Sequence, residues 1–129
     1  MAKSILYAVN NTDQVLAIGD EISFGTPIRR FGCNCDIRGG NAYIVGSGYY
    51  KVDASVTLVA LGAGVAVITL KKDGATIATA SVTTVAGATY NVDISAVVRQ
   101  ICAYDATITA ELTGVAGTVS NATIIVEKV

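Results

Sequence analysis

The chain has 129 residues, 52 % of them hydrophobic and 15 % charged, with a net charge of −1. This length suits one domain, residues 1–129, able to bury a core without disulfide staples. A near-neutral balance without a basic run argues against nucleic acid as a partner, and so few charges favour an assembly subunit over a free monomer.

In chain order, the opening MAKSILYAVNN has one lysine and an apolar run too short for a signal peptide. No segment has the apolar length to span a bilayer, so the expectation is cytoplasmic synthesis with no membrane partner. Thirteen glycines, one proline and abundant Val, Ile and Thr indicate strands joined by tight turns. Short strands are expected at 4–9, 14–18 and 21–24, then one through the cysteines at 29–38 and another at 42–45. From Tyr50 the residues Val52, Ala54, Val56, Leu58 and Ala60 alternate with Lys51, Asp53, Ser55 and Thr57. That period of two describes a strand with one buried face.

A Gly-Ala-Gly turn at 62–64 leads to a strand at 65–70. Asp73-Gly74 then signals a hairpin, because such turns require positive φ, and 75–84 returns. Alternation resumes at Tyr90, Val92 and Ile94 and again at Ile108, Ala110 and Leu112. Residues 95–102 fit either a strand or one helical turn. A final strand covers 121–129. The expected fold is all-β, a sandwich or barrel of about eight to ten antiparallel strands.

Candidate chemistry is sparse. In RRFGCNCDIR, residues 29–38, a single strand would place Phe31, Cys33, Cys35 and Ile37 on one apolar face, with both cysteines as core residues. A thiolate metal site would draw on Cys33, Cys35 and Cys102. One subunit offers at most three thiolates and has no histidine, whereas structural zinc favours four ligands. The missing histidine also removes Cys–His and Ser–His nucleophiles, and the ten carboxylates sit mostly at turns or polar strand positions. No catalytic residue and no cofactor is expected. The last strand is apolar on both sides: Ala122, Ile124 and Val126 on one, Ile125 and Val129 on the other. A second subunit is expected to cover it. Expected interface residues are Tyr49, Ile124, Ile125, Val126 and Val129, with Arg29 and Arg30 as further contacts to a partner.

The run Asn41-Ala42-Tyr43-Ile44-Val45, continued by Gly46-Ser47-Gly48-Tyr49-Tyr50-Lys51-Val52, precedes the long alternating strand. Leu70-Lys71-Lys72-Asp73-Gly74 and an apolar C-terminal strand complete the order. Over residues 28–129 this order resembles the tumour-necrosis-factor and complement-type globular heads. The resemblance implies a ten-stranded jelly roll assembled as a homotrimer, its closing strands near the threefold axis. The opening MAKSILYAVNN and the RRFGCN strand are similar to small virion proteins of tailed bacteriophages. That implies a capsid-decoration or head-fibre role on the virion exterior, with the major capsid protein as partner. Residues 1–27 would be a docking segment or the first strands. Two other functions remain open: a receptor- or glycan-binding fibre tip using Tyr43 or Tyr104, and the thiolate metal protein.

Overall fold

The computed structural model describes residues 4–101 and 105–129. Among the described residues twelve strands alternate with short turns: β1 (Ile5–Asn10), β2 (Gln14–Leu16), β3 (Glu21–Ile22), β4 (Thr26–Phe31), β5 (Cys35–Arg38) and β6 (Asn41–Val45). The longer β7 (Gly48–Ala60), β8 (Gly64–Lys72), β9 (Ala75–Thr84), β10 (Thr89–Gln100), β11 (Asp105–Thr113) and β12 (Gly117–Lys128) follow. Two antiparallel sheets face each other as a jelly-roll sandwich. Sheet I runs β10-β7-β12-β1-β4 with β2 also on β12, and sheet II runs β5-β6-β11-β8-β9 with β3 on β11.

The expected alternation is realised in the core. Tyr50, Val52, Val56 and Leu58 of β7 point inward with no exposed surface, as do Ile108 and Leu112 of β11 across the sandwich. Burying such side chains stabilises the fold by about 25 cal/mol per Å² of apolar surface. Tyr50 adds a polar anchor: its hydroxyl donates within reach of the Val45 carbonyl (3.0 Å) and the Gly46 carbonyl (2.9 Å). The β8–β9 hairpin turns on Asp73 (φ 49°) and Gly74 (φ 85°), the paired positive φ values that make Asp-Gly suitable there.

One open reading is resolved and one expectation changes. Residues 95–100 continue β10 as strand, paired with β7 up to Gln100↔Gly48. The expected strand 29–38 is divided. β4 belongs to sheet I and β5 to sheet II, and the chain crosses between them at a bend over 32–34, where Gly32 takes φ +81°. This division brings the strands among the described residues to twelve, above the expected eight to ten. β1 pairs with both β12 and β4, so the N-terminal residues contribute directly to sheet I. Among the described residues, no helix is long and apolar enough to cross a membrane.

Candidate functional site

The bend at 32–34 decides the fate of the cysteines. Cys33 lies on it, exposed, while Cys35 begins β5 with its side chain buried. Phe31 is 65 % exposed at the end of β4, and Ile37 is partly buried against the core. The four residues therefore do not form one apolar stripe, because period-two counting fails where a chain changes sheets. Asn34 fixes the bend. Its side-chain amide donates to the Val45 carbonyl (2.6 Å), and its side-chain oxygen accepts from the Ser4 hydroxyl (2.8 Å). Burial raises the Cys35 thiol to about 11, outweighing the lowering by Lys128 and Arg30, so this thiol stays protonated near neutral pH. Among the described residues no group of three or more His, Cys, Asp or Glu is arranged to hold a metal. Cys102 and Tyr104 lie outside the described residues.

The expected interface residues divide as well. Ile124 and Val126 have no exposed surface and pack inside the subunit's own core, which corrects their placement at a subunit contact. Ile125, on the opposite side of the same strand, is 37 % exposed, and Tyr49 and Val129 are exposed too. Val129 donates its backbone N–H to the Tyr49 carbonyl (2.8 Å), which brings these two residues together at one end of sheet I.

Ladder registers order the outer face of sheet I into rows, since directly paired residues point to one side. One row reads Val97, Lys51, Glu127, Ile5, Phe31. The next reads Ser95, Asp53, Ile125, Tyr7, Arg29. A third begins Asp93, Ser55, Thr123, Val9. Apolar side chains thus recur between charges, with Val97 as exposed as Phe31. A cleft of about 320 Å³ opens in this face, lined by Asp53, Ser55, Asp93, Ser95, Thr123 and Ile125 among others. Lys51 approaches Asp53 at 3.7 Å, whereas Asp93 and Arg29 have no ion-pair partner among the described residues. Arg30 projects from the other side of the β4 edge and meets Asp36 at 3.3 Å.

Sheet II presents a different outer face. Lys71 pairs with Glu111 at 2.9 Å. The Tyr43 hydroxyl donates to the Asp105 carboxylate at 2.5 Å, and the Arg38 guanidinium sits 3.9 Å from the Tyr43 ring centroid. That hydrogen bond to Asp105 is the main cause raising the Tyr43 pKa. One face of the Tyr43 ring is thereby covered and its hydroxyl engaged. Of the residues expected at contacts, Ile125, Tyr49, Val129 and Arg29 lie at the surface. The sequence expectation did not include the exposed Ile5, Phe31 and Val97 or the Asp53–Asp93 cleft, although the polar phase of the β7 and β10 alternation already marked the two aspartates as outward.

No protein-family profile and no curated protein sequence matches the chain. Solved structures do. Murine APRIL is similar at 15 % identity with a TM-score of 0.80, over 98 % of this chain and 99 % of that one. The globular domain of a zebrafish complement 1qA protein aligns at 12 % identity and 0.71, over 95 % and 94 % of the two chains. PRD1 vertex protein P5 aligns at 10 % and 0.69, over 100 % and 99 %. At these identities the likeness is one of fold, and the chain is an all-β sandwich with the TNF-like jelly-roll fold.

Proposed function

We propose that this chain is a non-enzymatic structural protein of a virion. Its subunits join as a homotrimer through the outer face of sheet I, and the trimer decorates the outer shell of a capsid. The observation that carries the self-association is that face itself: Ile5, Phe31, Val97 and Ile125 lie exposed on adjacent rows of one sheet. Removing apolar surface from water at about 25 cal/mol per Å² supplies the driving force, and low overall charge opposes it little. Trimeric order follows from the sequence resemblance to the tumour-necrosis-factor and complement-type heads. The similarity in fold to a vertex protein supports the virion setting, as does the resemblance of the N-terminal motifs to tailed-phage virion proteins.

Sedimentation velocity of the purified chain tests the first part. A stable trimer is expected, and a monomer at all concentrations refutes the self-association. Co-sedimentation with empty bacteriophage capsid shells tests the second. Saturable binding to shells is expected, and a trimer that leaves the shells bare ends the decoration reading.

A further inference from the structure

We propose that ring closure seats Arg29, on the β4 edge of one subunit, in the Asp53–Asp93 cleft of the next copy of this chain. The inference rests on the trimer reading above and identifies which parts of sheet I meet. A three-membered ring cannot be built from a self-complementary patch. Its contact is heterologous, so each subunit must carry two different, mutually complementary surfaces.

Sheet I carries such a pair at opposite ends of its strand order, β10-β7-β12-β1-β4. At one end β4 presents Arg29 and, two residues on along the same face, Phe31. At the other end, Asp53 of β7 and Asp93 of β10 line a cleft of about 320 Å³. Neighbouring strands lie roughly 4.8 Å apart, so four spacings put the β4 and β10 backbones about 19 Å apart. Arg29 and Asp93 therefore do not meet within one subunit, and neither has another ion-pair partner among the described residues.

The chemistry of the two surfaces agrees. A guanidinium brings five donors in a planar fork and pairs well with carboxylates. The cleft offers two carboxylates together with the hydroxyls of Ser55, Ser95 and Thr123. Lys51 is only an exposed, 3.7 Å companion to Asp53, so an incoming arginine displaces little. Phe31 would follow Arg29 onto the same face, where Val97 and Ile125 flank the cleft as exposed apolar side chains.

The test is a charge swap read by sedimentation velocity over a dilution series. Arg29→Glu and Asp93→Lys, each alone, are expected to weaken the trimer by about tenfold or more, and the double variant to restore it. Both positions are on the surface, and circular dichroism of each variant should match the parent. Single variants that assemble as the parent does would overturn the pairing, as would a folded double variant no tighter than the singles. A parent that is itself monomeric sinks the trimer reading as well. A parent trimer indifferent to both reversals sinks this contact alone and leaves the cleft to another occupant.

Discussion

The outer faces of the two sheets handle their charges in opposite ways. On sheet II, Lys71 finds Glu111, and Arg38, Tyr43 and Asp105 satisfy one another within the subunit. On sheet I, Arg29 and Asp93 stand apart at the two ends of the strand order, with exposed Ile5, Phe31, Val97 and Ile125 spread among the strands. Both faces cover one core, so the difference does not arise from folding the subunit. A face whose polar groups are already paired offers water a finished surface. One with separated charges and bare apolar side chains is the kind of surface a partner can cover.

The hardest test of that contrast lies on β12, where neighbouring residues serve opposite sides. Ile124→Ala empties a fully buried position and is expected to cost about 2–5 kcal/mol of subunit stability, measured by urea unfolding of the dilute protein. Ile125→Glu should leave that stability within about 0.5 kcal/mol while shifting sedimentation toward monomer. Equal destabilisation by both changes would erase the distinction between inner and outer residues.

A smaller effect is expected where the sheets join at β4 and β5. The Cys35 thiol has a folded pKa of about 11 against an ordinary 9.0, so its neutral form is the one the native state favours. Its contribution is fully present below pH 9.0 and is lost as pH rises toward 11. Tyr50, raised first by burial, acts in the same direction. Urea midpoints should fall across that window by the equivalent of about one proton more in the parent than in Cys35→Ala. An unchanged alkaline slope in the variant would place the effect elsewhere. The smallest change is expected on sheet II. Lys71→Ala should cost at most about 1 kcal/mol, because the pair is partly exposed. Under the proposed self-association the variant should sediment like the parent, and a dissociated Lys71→Ala protein would mean that sheet II also contributes to the contact.

Strands were legible wherever alternation ran uninterrupted, as along β7 and β11, because a buried side imposes period two on the residues themselves. The Asp73-Gly74 hairpin was legible for the same local reason, its backbone angles being written in two residue types. The break in RRFGCNCDIR was not. Cysteines alternate with polar residues whether the strand runs on or turns, and the turn is held by Ser4 and Val45, 30 and 11 residues from Asn34. Alternation also separates Ile125 from Ile124 and Val126, yet it does not say which of two apolar sides looks inward. The candidate cleft depended on register between β7, β10 and β12, which no single stretch contains.

The place of β12 between β7 and β1 has a consequence for the timing of synthesis. Until residues 117–128 have left the ribosome, sheet I lacks its middle, and β1 waits for a partner more than a hundred residues downstream. Pairings of such long range are slow and form late. Docking of β12 is thus the step that completes sheet I. A chain stopped before Gly117 would lack the strand that joins β7 to β1, and its sheet I would stay open.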